Sequence, residues 1–343
     1  MKKPPSLVSR LALAAAALVL AACGSGDSGT QALRLGYFPN VTHAPAIVAD
    51  SRGFFAAALG GDTDLRVQYF NAGPEVIQTL FAEGLDLSFI GPNPAINGYA
   101  QSDGEAIRII AGCTSGGAFL VVRPGITSPQ DLVGATIATP QLGNTQDVAL
   151  RAWLIDQGLS ADTAGGGDVS IRPQSNADTL NAFRSGDIDG AWVPEPWATR
   201  LLLEGGGVVL VDERDLWPDG RYVTTHLIVR TEYLEEHPDI VARFLEGYLQ
   251  ALRFVEENPE QSQIITNDGI EAITGARLAD ETIVGAWQNL TFTWDPIASS
   301  LRKSADDAAA VGLLEPVDLS GIYALDILNS LLAAAGEAPV EGW

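Results

Sequence analysis

The sequence predicts an α/β protein of two similar lobes with a helical C-terminal part. Three observations point there. Short apolar runs alternate with helix-spaced segments, two stretches repeat at a fixed offset, and the pattern turns helical after Arg230. Strand–helix alternation marks mainly parallel sheets covered by helices. At about 100–200 residues per domain, 343 residues suit two units.

The strands expected first are Leu33–Gly36, Arg66–Phe70, Leu87–Ile90, Ile107–Ala111 and Ala118–Arg123. A second set is Thr136–Thr139, Val169–Arg172, Gly190–Val193, Val208–Val211 and His226–Arg230. Between them the apolar spacing is helical, as in Val76, Ile77, Leu80 and Phe81. After Arg230, Pro238 opens a long helix with Ile240, Val241, Phe244, Leu245, Tyr248, Leu249 and Leu252 on one side. Further helices are expected around Asp280–Asn289, Ile297–Ala310 and Gly321–Ala335, packed on the first lobe.

The repeat aligns Leu80–Pro94 with Ala182–Pro196 at an offset of 102. Phe81 meets Phe183, Gly84 meets Gly186, Pro92 meets Pro194 and Pro94 meets Pro196. Each copy reads helix end, Gly stop, acidic turn, apolar strand and Pro-x-Pro loop. The same offset places Leu33–Leu35 on Ala135–Ile137, and both strands run into polar loops. Ligands of open parallel sheets bind beyond the carboxyl ends of the strands, so the four loops would line one cleft. The lobes are expected at 33–122 with 226–343, and at 123–225, joined near Val122–Pro124 and Thr225–His226.

The chain opens with Lys2, Lys3 and Arg10, then the apolar run Leu11–Leu20, then Ala21-Ala22-Cys23. Ten apolar residues are too few to span a bilayer as a helix, which needs about 20. The order reads as a signal segment, 1–22, and resembles the lipobox of bacterial lipoproteins, whose Cys becomes lipidated. An ordinary secretory signal with a Cys near its end is the alternative. Residues 23–32 then form a polar tether. The remaining cysteine, Cys113, is expected to be a buried residue without a disulfide.

The formal net charge is −23. Removal of the signal segment with its three basic residues leaves 17 basic against 43 acidic residues, a net −26. That sign argues against nucleic acid as a partner. The three histidines, His43, His226 and His237, have no metal spacing, so no metal and no cofactor are expected.

Several strings together resemble solute-binding proteins of bacterial ABC importers. The similar group is the nitrate, sulfonate and taurine type, which includes binders of thiamine-pyrimidine precursors. The strings are LRLGYFPNVTHAPAIVA, RGFF (Arg52–Phe55), EGLDLSFIGPNP, Gly125–Thr139, SGDIDGAWVPEPW (Ser185–Trp197) and Glu235–Tyr248. The resemblance implies a type II periplasmic-binding-protein fold, two α/β lobes closing on a ligand in the cleft between them. It implies a monomer that captures a small anionic solute, an aliphatic sulfonate first and taurine or nitrate next, and passes it to transmembrane permease subunits. Location would be extracytoplasmic, membrane-anchored through lipid on Cys23.

Candidate ligand contacts follow from residue chemistry and from this resemblance. The family's first-loop position matches Tyr37–Asn40, where Tyr37 and Asn40 can donate hydrogen bonds or serve as packing and turn residues. Asn93 suits an N-cap with Pro94 at the first helical position. Gln141, Asn144 and Thr145 precede another helix, with Asn144 or Thr145 as cap. Helix N-termini present unsatisfied N–H groups and positive dipole, which suits an anion. Ser115 lies in a segment resembling a family contact, or in a flexible linker. Glu195 matches an acidic family position: it would bind a ligand amine, or cap the helix that follows. Trp197 would close over an alkyl portion, or pack.

The main rival is an enzyme, since pyrimidine-forming enzymes of thiamine synthesis resemble the same fold. These are expected to hold pyridoxal phosphate on a lysine. Here the lysine beyond the signal segment is Lys303, outside every cleft motif and expected to leave ligand affinity untouched.

Overall fold

The computed structural model describes residues 30–342; the signal segment, Cys23 and most of the tether lie outside them. In chain order the strands are β1 (Gln31–Tyr37), β2 (Thr63–Tyr69), β3 (Leu87–Ile90), β4 (Ile107–Gly116), β5 (Ala118–Val122), β6 (Thr136–Thr139), β7 (Ser170–Pro173), β8 (Gly190–Pro194), β9 (Val208–Asp212), β10 (Val223–Arg230) and β11 (Leu290–Phe292). They form two sheets, β11-β4-β10-β3-β1-β2 and β7-β6-β8-β5-β9.

The sheets are copies of one plan. In the first, β1 lies between parallel β2 and β3, and β10 runs antiparallel to β3 and β4. In the second, β6 lies between parallel β7 and β8, and β5 runs antiparallel to β8 and β9. The acidic turns share one backbone-to-carboxylate bond. The Asp86 carboxylate accepts the Arg34 N–H at 2.8 Å, and the Asp189 carboxylate accepts the Thr136 N–H at 2.8 Å. Arg34 and Thr136 keep the 102-residue offset, but the two aspartates are 103 apart, so the second turn carries one extra residue.

The crossings differ from the expected ones. Strand β5 pairs in the second sheet, so the chain changes lobe at Gly116–Gly117, ahead of Val122–Pro124. Both glycines have positive φ, +80° and +73°, and a Cβ at Gly117 would lie 2.1 Å from Leu290 Cδ2. Only glycine turns the chain so tightly there. The return occurs between Asp212 and Val223, because β10 begins three residues before the expected His226.

Alternation along the strands fills both faces. In β5, Leu120 and Val122 join the cluster around Trp153 and Trp192, while Phe119 and Val121 join the one around Phe183. In the first lobe, Leu33, Leu35 and Phe89 pack with Phe244, Leu245 and Tyr248 of the helix Pro238–Glu257. Each such side chain contributes about 1.5–3 kcal/mol on burial. The C-terminal part therefore packs on the first lobe, as expected. Two of its helices also reach the second: Ala298–Ala310 lies against Thr145–Asp156, and Asp280–Gln288 against Trp197–Leu203. Helix Pro259–Thr274 and the short β11 were not foreseen from the sequence.

Candidate functional site

The carboxyl ends of β1, β3, β6 and β8 face one cleft. The first lobe lines it with Phe38, Asn40, Thr42, His43, Asn71, Gly91, Thr224 and Thr225; the second with Pro140, Asn144, Thr145, Gln146, Asn176 and Pro194. The lobes nearly close, leaving a cavity of about 30 Å³. That is room for one small polar group. Asn40, Asn71 and Asn176 also line an outer chamber of about 630 Å³ with Phe70, Pro39, Trp197 and Ile270.

The second lobe presents an intact helix start. Asn144 caps Thr145–Asp156, its Oδ1 accepting the Thr145 N–H at 2.9 Å. Below the loop, buried Asp147 accepts bonds from the Gly143 N–H (3.0 Å), the Thr139 hydroxyl (2.8 Å) and Arg151 Nε (3.0 Å). This holds the loop in place before any ligand arrives. Thr145 is 6% exposed, and its Oγ1 is buried without a hydrogen-bond partner. An unpaired buried hydroxyl at a helix N-terminus is poised for a ligand oxygen.

The first lobe presents a different start. Helix Pro92–Gln101 begins at Pro92 with Gly91 as N-cap, so Asn93 is not the cap. Proline at the first helical position is as favourable at 92 as at 94. Both prolines lack an N–H, so this end offers fewer donors. Asn93 instead donates to the Ser304 carbonyl at 3.0 Å, inside the packing of the C-terminal helix. Gly91 matters for approach: a Cβ there would lie 2.5 Å from Thr145 Oγ1 across the cleft.

Every side chain lining the inner cavity is uncharged. His43 is buried, and desolvation lowers its pKa to about 3, so the ring is neutral. It stacks on Phe38, and its Nδ1 accepts the Phe38 N–H at 3.4 Å, which leaves the proton on Nε2. Asn40 Oδ1 accepts the Trp197 indole N–H at 3.1 Å, a bond between the lobes that leaves the Asn40 amide N–H groups as donors.

Of the expected contacts, Asn40, Asn144 and Thr145 meet in the cavity and Trp197 walls the outer chamber. The others lie elsewhere. Tyr37 is core: its hydroxyl donates to Asp50 at 2.7 Å and its ring meets Tyr69 edge-on. Gln141 accepts the Asn144 N–H through its carbonyl at 3.1 Å, with a buried, unpartnered Oε1. Ser115 lines a separate cavity beside the Gly116–Gly117 crossing. Glu195 is fully buried and accepts from the Thr199 N–H (3.1 Å), the Thr199 hydroxyl (2.8 Å) and the Asn289 amide (2.7 Å). Burial raises its pKa against these three donors. It therefore serves as a cap and lobe-to-lobe contact.

Sequence reasoning missed Thr42, Asn71, Asn176, Thr224 and Thr225. Asn71 and Asn176 follow β2 and β7, so extending the repeat to those strands would have found them. Arg200 and Arg277 stand at the outer chamber, each paired with carboxylates. Among the described residues no His/Cys/Asp/Glu group is placed to hold a metal, and no helix is long and apolar enough to cross a membrane.

This geometry has relatives. The chain is 28% identical to the taurine-binding periplasmic protein of Escherichia coli, covering 63% of this chain and 64% of that protein, just under two thirds of its length. It is 29% identical to a Bacillus subtilis protein assigned to binding aliphatic sulfonates, covering 75% and 77%. The fold matches the alkanesulfonate-binding protein of Xanthomonas axonopodis pv. citri bound to MOPS, with TM-score 0.72, 20% identity, and 87% and 99% of the two chains covered. Residues 26–267 match the NMT1-like family; the chain belongs to that family and has the two-lobed periplasmic-binding-protein fold.

Proposed function

We propose that this chain is the extracytoplasmic solute-binding component of an ABC importer and that its ligand is an aliphatic sulfonate. The observation that carries this is the two-part cleft. A small uncharged cavity holds the unpaired Thr145 hydroxyl at a helix N-terminus, and it shares Asn40, Asn71 and Asn176 with a mixed outer chamber, where Phe70, Trp197 and Ile270 form apolar wall beside Arg200 and Arg277. The sulfonate head takes donors from Thr145, Asn40 and His43, and the carbon tail takes the chamber. Nitrate or bicarbonate would fill the first part and leave the second empty. Charge-assisted bonds contribute about 1.5–3 kcal/mol each, so three supply about 4.5–9 kcal/mol, and burial of the tail has to supply the remainder of a micromolar affinity once closure costs are met.

Binding is followed by release to permease subunits, with no chemistry on the ligand. The Trp197–Asn40 and Asn289–Glu195 bonds join the lobes in the closed form. Lipid on Cys23 tethers a monomer to the membrane. A sulfonate that also carries an amine, such as taurine, is the second reading, favoured by the buried, unpartnered Oδ1 of Asn176.

A thermal-shift series with butanesulfonate, taurine, nitrate, bicarbonate and a thiamine-type pyrimidine tests this. A ligand at 100 times its Kd stabilises by about 2.7 kcal/mol. The sulfonates should raise Tm and return unaltered by NMR. A rise with only the inorganic anions or the pyrimidine would refute the reading.

A further inference from the structure

The lobes meet a second time, away from the cleft. A cavity of about 130 Å³ lies between Thr145–Asp156 and the return crossing on one side and Ala298–Ala310 on the other. Its walls include Trp153, Asp156, Glu213 and Trp217 from the second lobe and its crossing, and Lys303 and Asp307 from the C-terminal helix. Lys303 places its ammonium 2.6 Å from Asp307 Oδ2 and 5.1 Å from the centre of the Trp217 ring. Trp217 in turn stacks on Tyr222 at 5.3 Å. Glu213 is 1% exposed, and its Oε2 accepts the Trp192 indole N–H at 2.8 Å. One cation thus stands among three carboxylates drawn from both sides of the lobe interface.

We propose that this contact is a proton-linked latch: Lys303 seats on Trp217 beside Glu213 as the lobes close, and closure draws a proton onto Glu213. This rests on the reading that the lobes open and close around a ligand. The cavity has one wall on each side of the interface, so parting the lobes admits water to it. In the closed form, burial pushes Glu213 up to about 7 against the hydrogen bonds of Trp192 and Trp217; Lys303 also pulls it down and Asp307 pushes it up. Asp307 is itself raised, first by burial and further by Asp156 and Asp306. Tyr222 is a further titratable neighbour, and burial raises its pKa well above the tyrosine range. A solvated glutamate in the open form would release its proton near the ordinary value of about 4.3. Between those values the closed form binds more protons, so acidification closes the lobes and alkalinity opens them. Lys303 supplies the counter-charge that allows closure above pH 7, a role its place outside the cleft motifs hid.

The test uses no ligand, so it stands apart from the identity of the solute. Small-angle X-ray scattering of the wild type, Glu213→Gln and Lys303→Gln is compared between pH 5.5 and 8.5, with circular dichroism to establish folding. The wild type should have the larger radius of gyration at pH 8.5. Glu213→Gln should stay compact at both, and Lys303→Gln should open at lower pH than the wild type. A wild-type radius that ignores pH, a Glu213→Gln protein that keeps the wild-type change, or an unmoved Lys303→Gln midpoint would each overturn the latch.

Discussion

The two lobes share a sheet plan yet build their cleft loops by different physics. The second lobe holds its loop with buried charge: Asp147 gathers Gly143, Thr139 and Arg151, and the helix start above stays rich in donors. The first lobe holds its loop with proline and packing, spends Asn93 on the Ser304 carbonyl, and keeps Gly91 bare for close approach. The division holds at the helix starts: the second lobe's keeps its donors and the first lobe's gives close approach, while Asn40 and His43 add first-lobe donors from the loop after β1.

Breaking the charged side should cost most. Arg151→Met leaves Asp147 buried and unpaired, and should lower stability by about 3–5 kcal/mol in urea unfolding. Arg151 and Asp147 are 1% and 0% exposed, so solvent cannot compensate.

Acidity separates the lobes next. Burial lowers His43 to about 3 and His226 to about 4, both in the first lobe, while burial raises Glu213 in the second to about 7. Below about pH 6.5 the unfolded histidines take protons that the native ones refuse, so their contribution to stability falls with acidification down to about pH 3–4. Glu213 has the opposite sign. Its native form keeps a proton that the unfolded form loses, so stability drains as pH rises from about 4.5 to 7. Glu213→Gln should therefore gain on the wild type across that window, by at most about 3 kcal/mol, because opening of the lobes solvates the carboxylate and limits the loss. Chemical denaturation at pH 4.5, 6 and 7.5 reads this; a constant difference between the two proteins would contradict it.

The fit side is tested by Gly91→Ala. The φ of −70° at Gly91 accepts alanine, but the new Cβ meets Thr145 Oγ1. Binding should weaken ten- to a hundredfold, about 1–3 kcal/mol, with Tm nearly unchanged. The smallest effect belongs to Asn144→Ala, which removes a cap worth about 1 kcal/mol and should weaken binding about fivefold.

Much of this fold is legible in the sequence. All ten expected strands form, because each apolar run is short, β-rich and bounded by turn residues. The helix Pro238–Glu257 buries the residues that its spacing named. Which sheet a strand joins was not legible. Strands β4 and β5 are both apolar, and only the pairing of β5 with β8 moves the crossing to Gly116–Gly117. The site was half legible. Asn144 reads as a cap because its partner is the next residue. Glu195 does not declare its role, because Asn289 reaches it from 94 residues away. Thr224 and Thr225 arrive on β10, and no local pattern announces them.

Titration calorimetry of butanesulfonate into the wild type and Gly91→Ala tests whether a sulfonate binds between the lobes. One site per chain at micromolar Kd is expected in the wild type, weakened at least tenfold by the added methyl group. Binding left intact by Gly91→Ala would contradict a site between the lobes, and the absence of sulfonate binding to the wild type would contradict the ligand.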